Sequence, residues 1–456
     1  MVAVTSLSPS SIEQTKFGKK NAEAVISQFF GFFLDSYDLT LILSIAPVIA
    51  VVFFPKAISP LEGALLVFLS YALTLLFRPL GSAIFGNLGD KIGRRNVLII
   101  TILGLGASSG LTAVLPTFAT VGIAAIILFS FLRILVGIFA GGEYAAGHPF
   151  AMEWTPKNLR GTVSGIIQGG FPFGAALAAA VEGLFLAHYG LSALENYGWR
   201  YLFLTSIVVA LVALFVRISI KDTPIFTNLK KNNKIRKQPF YDVFRNKVTR
   251  TYFFIAMIWM TGLTFTGYAF LAYVTIVLEH APSVWIGNNI GGAISIYTYA
   301  SFAAFAGIVT FGTLSQRYGR RRTSLVWVIF GIVLPIPLFY GLIHFASIGN
   351  FGGALMIAIF IGFSVMMPTG ITLAFLSEMF PTSVRASGVG FGFSSGFFFG
   401  AWFGPYIGFL HSFFSPIETA TNVWLSVAVI TMIGAMLIGI AMYFAPETSG
   451  TSLLET

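Results

Sequence analysis

Gly86-Asn-Leu-Gly-Asp90-Lys-Ile-Gly93-Arg94-Arg95 returns 226 residues later as Gly312-Thr-Leu-Ser-Gln316-Arg-Tyr-Gly319-Arg320-Arg321. Two further pairs recur at an offset of 225: Glu153 to Arg160 becomes Glu378 to Arg385, and Asp222-Thr223 becomes Glu447-Thr448. Chance does not place three such pairs in order at spacings that differ by one residue, so the 456 residues form a tandem repeat. The surroundings of the motifs say what is repeated. Of all residues, 56% are apolar and only 10% charged, and the mean hydropathy is +0.85, values that a soluble chain of this length does not reach. Each copy is therefore a set of membrane helices.

A window of about 20 apolar residues is needed to cross a bilayer. Twelve segments meet it, near 24–50, 62–85, 96–115, 120–147, 161–188, 200–220, 251–278, 289–313, 323–345, 351–376, 388–413 and 422–444. The sequence thus predicts an all-α integral membrane protein of twelve transmembrane helices in two six-helix pseudo-repeats. The expected divisions are an N-tail over 1–23, a bundle over 24–220, a basic linker over 221–250, a second bundle over 251–444 and a C-tail over 445–456. The polar N-tail has no apolar stretch ahead of a small-residue cleavage site, so no removable signal is expected.

Of the 27 Lys and Arg, Lys56 and Arg200 fall on the side reached by the odd-numbered loops, Arg78 and Arg133 lie inside spans, and the other 23 collect in the N-tail, the even-numbered loops and the inner end of span 6. Basic residues mark the cytoplasmic side, so both termini are expected there, in the plasma membrane of the cell. The net charge of +10 serves this orientation, with the linker able to lie on anionic lipid, and no nucleic-acid partner is implied. Absence of Cys removes disulfides, thiolate metal sites and cysteine nucleophiles, and five scattered His leave little for a metal centre, so no metal is expected. No hydrolase elbow, zincin helix or Walker loop is present, which argues against an enzyme and against an ATP-driven pump acting alone.

Six plus six spans in parallel repeat, with the motif at Gly86–Arg95 between spans 2 and 3, resemble the major facilitator superfamily. Arg78-Pro79-Leu80-Gly81, Gly141-Gly142-Glu143, Glu378-Met-Phe380-Pro381-Thr382-Ser-Val384-Arg385 and Pro446-Glu447-Thr448 narrow the likeness to the metabolite:proton symporter branch, related to the sugar porters. Span 1, with Asp35-Ser-Tyr37-Asp38, and Gly142-Glu143-Tyr144 are also similar to the phosphate:proton symporters. That second likeness is partial. The position four residues after Trp259 is Leu263 where those symporters carry Asp, and Pro368 is followed by Thr369 where they carry Asn.

Ionisable groups in hydrocarbon cost at least about 2.5–3.5 kcal/mol each, so those present need a reason. Asp35 and Asp38 stand at i, i+3 on one face of span 1. They repel one another and desolvation disfavours their charged forms, so one of them can carry a proton near neutral pH. Arg133 lies in span 4, where the sugar and metabolite symporters also carry an arginine, and the resemblance implies that it partners the span 1 carboxylate. Asp35, Asp38 and Arg133 are thus the expected proton-coupling group, with protons as the coupling ion and no cofactor.

The resemblance also implies Gln168 in span 5, Glu143 and Tyr144 as substrate-binding residues, with Trp259, Tyr268, Tyr273 and Tyr297 as candidate lining aromatics. Glu143 is about 15 Å along the helix from Arg133, near the cytoplasmic end. Tyr299 and the lone His148 are more simply packing residues. Gly86, Asp90, Gly93, Arg94, Arg95, Glu153, Arg160, Arg320, Arg321, Glu378 and Arg385 belong to the cytoplasmic loops. They are expected to gate, through ion pairs across the halves, and with glycines (Gly89 among them) permitting close approach and a tight turn. Since Gln316 replaces Asp90 in the second copy, that side of the network should be weaker.

These readings point to a secondary transporter, working as a monomer, that imports a small polar metabolite, an organic anion first, by proton symport with alternating access. Inorganic phosphate or a sugar is the alternative substrate. Export is less supported, because span 5 lacks a G-x-x-x-G-P run. A receptor that keeps the fold without transporting is the rival of another class, and the short tail and linker argue against it.

Overall fold

The computed structural model describes residues 17–55, 60–280, 290–418 and 423–453, with side chains at 60–66, 68, 268–280 and 290–295 left out. Helices cover every one of the twelve expected segments. Span 1 is Lys19–Ser44 followed by Ala46–Phe53, span 2 is Pro60–Leu76 with Arg78–Ile92, span 3 is Arg94–Leu111 and span 4 is Ile123–Trp154. Span 5 joins Arg160–Gln168 to Gly170–Ala193, and span 6 is Trp199–Ser219. In the second half, span 7 is Lys247–His280, span 8 is Ile290–Tyr318, span 9 joins Arg320–Val333 to Pro335–Ser347, and span 10 joins Phe351–Val365 to Thr372–Met379. Span 11 is Arg385–Gly400 with Phe403–Phe414, and span 12 is Trp424–Phe444.

By length and apolarity alone, seven described helical stretches can cross a bilayer, or nine if spans 1 and 9 count despite bends of 71° and 46°. The lower number has a physical origin. One stretch of 63 residues, Lys157–Ser219, runs through spans 5 and 6 together. Span 11 is interrupted between Gly400 and Phe403, and each piece is too short alone. The bends fall where the ladder of hydrogen bonds loses a donor, Pro47 after Ile45 and Pro335 after Leu334.

Packing follows the repeat. Within the first half, span 1 lies against spans 4, 5 and 6, and span 2 against span 4; span 7 lies against spans 11 and 12. The halves meet along two seams related by the repeat, span 2 against span 11 and span 8 against span 5. Small residues let backbones touch, as membrane packing requires. On the seam of spans 2 and 11 this holds at Gly86, where a Cβ would sit 3.0 Å from the Ala386 carbonyl oxygen and 3.0 Å from Ser387 Cα. Gly89 is different: its nearest neighbour would be 3.6 Å away, so a side chain fits and the expected need for glycine there is not met.

The two motifs turn at Gly93 (φ +107°) and Gly319 (φ +94°), in the backbone region that disfavours side chains. Each turn is capped by the acid of its own half's last pair. Asp222 accepts from the Arg95 amide at 2.9 Å, and Glu447 from the Arg320 and Arg321 amides at 2.8 and 3.1 Å. The neighbouring threonines also match, Thr223 donating to Glu153 at 2.6 Å and Thr448 to Glu378 at 2.9 Å. The repeat read in the sequence is therefore a repeat of contacts.

Candidate functional site

Span 1 buries Asp35 and Asp38 completely, and each has found its own arginine. Arg78, at the break in span 2, donates from Nη2 to Asp35 Oδ1 at 2.7 Å. Its Nη1 donates to the Tyr144 hydroxyl, which in turn donates to Asp35 Oδ2, so spans 1, 2 and 4 close a triangle of polar groups. Arg133 donates from Nη1 to Asp38 Oδ2 at 2.9 Å and from Nη2 to Thr112 Oγ1 at 2.7 Å, with the Ser109 hydroxyl also on Asp38. The span 1 carboxylate that Arg133 meets is therefore Asp38 and not Asp35. Residues at i, i+3 differ by about 60° in direction and about 4.5 Å in height, so two carboxylates on one face still meet different neighbours.

Between the halves lies a small cavity of about 60 Å³ with an apolar surface, lined by Phe32, Phe171, Phe393 and Phe397, by Met260 and Met366, and by Gln168, Thr264 and Thr369. A water needs at least about 10–15 Å³ of such space, so the cavity admits a small ligand only. Gln168 is among the lining residues, and its Oε1 has no protein partner among the described residues. Tyr144 stands directly behind the wall, its ring 4.6 Å from Phe393 and 5.8 Å from Phe397. The Arg78 guanidinium lies 4.7 Å from the centre of the Phe397 ring. The triangle is thus one aromatic ring away from the cavity.

The remaining candidates are placed as follows. Glu143 turns away from the cavity and is held by both Nη atoms of Arg217, one at 2.6 Å, and by Thr101 at 2.9 Å. It has no capacity left for a substrate in this arrangement. Trp259 is buried, donating to Thr372 Oγ1 at 3.3 Å and packing on Phe375, while its neighbour Met260 reaches the cavity. Tyr297 is buried where span 8 meets span 1, hydrogen-bonded to Thr40 across the halves. Tyr299 is 55% exposed on the outer surface of its helix. Tyr268 and Tyr273 lie among the side chains outside the described residues. Sequence reasoning missed Arg78 and Arg217 as site residues; an arginine within a span was the available signal for the first.

At the basic end, where the motif loops gather, the arginines and acids pair in clusters. Arg94 meets Glu153 at 3.2 Å and Asp90 at 3.3 Å, and Arg320 meets Glu378 at 3.1 Å, all within their own halves. Arg95 and Arg321 also stay at home, on carbonyls of Ile218 and Tyr443. Among the described residues, Arg385 forms a charged pair across the halves with Glu153, at 3.0 Å, and Arg94 also donates to the Thr382 carbonyl of the other half at 3.2 Å. Asp90 crosses differently, accepting from the backbone amides of Ala386 and Ser387 at 3.1 and 2.9 Å at the start of span 11. A carboxylate at a helix N-terminus meets unpaired amides and the positive end of the dipole. Gln316 is the pseudo-equivalent, accepting from the Gly161 amide at 2.8 Å.

The C-terminal segment adds a third link. Leu453 is fully buried against spans 1, 4, 5 and 10. Its carbonyl accepts from Arg385 and Thr382 at 3.0 and 2.8 Å, and the Thr451 carbonyl accepts from Arg160 at 2.9 Å. The basic end is shut in this structure. Gly86→Val is expected to open it, since two methyl groups cannot share the space against Ala386 and Ser387. A single cysteine placed at Ser387, in a chain that has none of its own, should then react with a polar thiol reagent; unchanged protection would show that the seam tolerates the added bulk.

A sequence profile of the Major Facilitator Superfamily matches residues 28–392. The chain is 28% identical to an ectoine/proline transporter, ProP, of Corynebacterium glutamicum, over 96% of this chain and 86% of that one. It is 30% identical to the shikimate transporter of Escherichia coli, over 91% and 92% of the two chains. The solved structure of the proton:xylose symporter XylE bound to 6-bromo-6-deoxy-D-glucose superposes with a TM-score of 0.73 at 19% identity, covering 96% of this chain and 98% of the other.

Proposed function

The chain belongs to the Major Facilitator Superfamily, and on that premise we propose that it imports a small carboxylate-bearing metabolite together with a proton, by alternating access around the central cavity. It is a membrane transporter of small metabolites and not an enzyme. The observation that carries the finer reading is the Asp35–Arg78–Tyr144 triangle one ring behind the cavity wall.

With Asp35 ionised, Arg78 is neutralised and held. A proton arriving on Asp35 removes that anchor, and an unpaired buried guanidinium is costly, so Arg78 turns to the next available carboxylate. A substrate carboxylate in the cavity is that group. Substrate and proton thereby favour each other's binding, which is the thermodynamic requirement for symport. The four phenyl rings and two methionines suit an apolar or methylated body, and Gln168 both donates and accepts. Phosphate or a hexose would leave many polar groups against these rings, which disfavours both alternatives. Proline, ectoine and shikimate, named for the two relatives, each pair a carboxylate with a compact ring.

The basic end is assigned to the cytoplasm, because it collects the Lys and Arg of the loops, and the transporter to the plasma membrane, acting as a monomer. Asp38 with Arg133 holds spans 1, 3 and 4 together on the outer side of the triangle. A zwitterion entering with one proton carries a net positive charge, which a membrane potential drives at about 2.3 kcal/mol per 100 mV; a monoanion with one proton is driven by the pH difference alone.

The test uses proteoliposomes loaded with a pH dye, with proline, betaine, shikimate, dicarboxylates, phosphate or hexoses added outside at mildly acidic pH. Acidification of the lumen by a carboxylate, above protein-free vesicles, is the expected result. Asp35→Asn should abolish pH-driven accumulation while sparing exchange without a gradient. Full accumulation in that variant would take Asp35 out of the mechanism, and silence of the wild type across the panel would favour a facilitator, an exporter or a receptor.

A further inference from the structure

His148 is fully buried in span 4, and neither of its ring nitrogens bonds a protein group among the described residues. Such a group is rare, because a buried polar atom without a partner forfeits the hydrogen bond it had in water. The ring stacks on Tyr144 at 5.3 Å and 25°, and meets Phe393 and Phe32 at 4.6 and 5.9 Å. It lies one helical turn from Tyr144 toward the basic end and five residues short of Glu153, about 6 and 7.5 Å along the axis. Its position thus fills the interval between the Asp35 triangle and the network that shuts the basic end.

A second orphan sits beside it. Gln28, one turn from Phe32 on span 1, is fully buried, and both of its amide atoms lack a protein partner among the described residues. Its amide lies against Gly147, where a Cβ would collide with it. The unpartnered amide of Gln28 thus lies against Gly147, the residue next to the unpartnered ring of His148, from a second helix. A buried water is kept where it finds two to four polar partners, and the unpartnered atoms of these two side chains supply them.

The charged groups on the packed elements are Asp35 of span 1 and Arg78 of span 2, reached through Tyr144. Glu143 of span 4 with Arg217 of span 6 stands at Gly31, and Glu153 with Arg94 and Arg385 lies toward the basic end. Span 11 presents the Phe393 ring.

We propose that His148, with water held by Gln28, is the station through which the proton leaves Asp35 for the basic end. The inference rests on the symport reading. The proton on the Asp35 carboxyl passes through water to one ring nitrogen, and the other nitrogen releases its own proton toward Glu153, so the imidazole ends neutral in its other tautomer and one proton has moved. Tyr144 positions the ring by stacking. When the halves rock and the triangle opens, Asp35 loses its proton on this side, and Arg78 recaptures the carboxylate as the substrate departs.

The experiment compares wild type, His148→Gln and His148→Phe in proteoliposomes, using shikimate and proline as probes. It measures lumen acidification, pH-driven accumulation and counterflow exchange at equal pH. Expected is a fall of ten-fold or more in acidification and accumulation for both variants, with exchange within two-fold of wild type and the dependence of uptake on internal pH flattened. Exchange reports that the variants are folded; if the phenylalanine does not fold, the glutamine variant, which keeps polarity but carries no proton, decides. Coupled uptake unchanged in a folded variant overturns the role of His148 alone. A wild type that exchanges either probe without acidification overturns the symport reading, and this inference with it.

Discussion

Arg78→Gln is expected to abolish proton-driven accumulation, by on the order of 100-fold or more, whereas Arg133→Gln lowers stability and leaves coupling in the folded fraction. Both variants strip a buried carboxylate of its cation, a change that costs about 3–5 kcal/mol in measured cases. At about 1.4 kcal/mol per factor of ten this exceeds 100-fold in an equilibrium. For Asp35 the cost falls on the step that matters, since a carboxylate with no cation beside it keeps its proton and has nothing to exchange it for. For Asp38 the loss is partly met by Ser109, and no cavity residue depends on it. Paired variants separate folding from coupling. Asp38→Asn with Arg133→Gln should restore both yield and accumulation. Asp35→Asn with Arg78→Gln should restore yield only. Accumulation by that second pair would return the coupling role to Arg133.

The next largest effect is expected at Glu143 and Arg217, both buried and both remote from the cavity. Arg217→Ala leaves Glu143 with Thr101 as its remaining partner among the described residues, and a loss of about 3–5 kcal/mol should appear as a lowered thermal midpoint and aggregation in detergent. Replacing the pair by Glu143→Leu and Arg217→Leu removes both charges from an apolar environment, a change that is often neutral or stabilising. Recovery of the midpoint with transport intact would identify the pair as scaffold. Recovery of the midpoint with transport lost would assign Glu143 a role in the cycle after all.

The two motifs, the matching acids and the twelve apolar segments were legible in the sequence because each rests on spacing along the chain. The residues of the basic end were likewise legible as a group, and the structure does bring them together. Their pairing was not. Arg95, Arg320 and Arg321 bond within their halves, while Arg94 also donates to the Thr382 carbonyl of the other half, and the crossing links among the described residues include Arg94, Arg385, Asp90, Gln316 and the segment around Leu453. Spacing cannot show that, because a loop arginine reaches either way. The same limit explains Arg78 and Arg217. One stood at the start of a motif and the other in the last turn of a span, where a topology signal already explained it. Which carboxylate meets which arginine is decided by helix rotation, and a 60° difference between Asp35 and Asp38 sent them to different spans.

The unequal residues at equivalent motif positions have a mechanical consequence. On the seam of spans 2 and 11, a carboxylate takes two amides and a serine hydroxyl, the last at 2.9 Å. On the seam of spans 5 and 8, an amide oxygen takes one amide and shares itself with Arg320 at 2.9 Å. A charged acceptor makes hydrogen bonds roughly twice as strong as a neutral one. When the basic end opens, the two sides therefore resist unequally. The weaker side parts first and the stronger serves as the hinge, so the two bundles swing like a door on one jamb instead of separating like a pair of leaves.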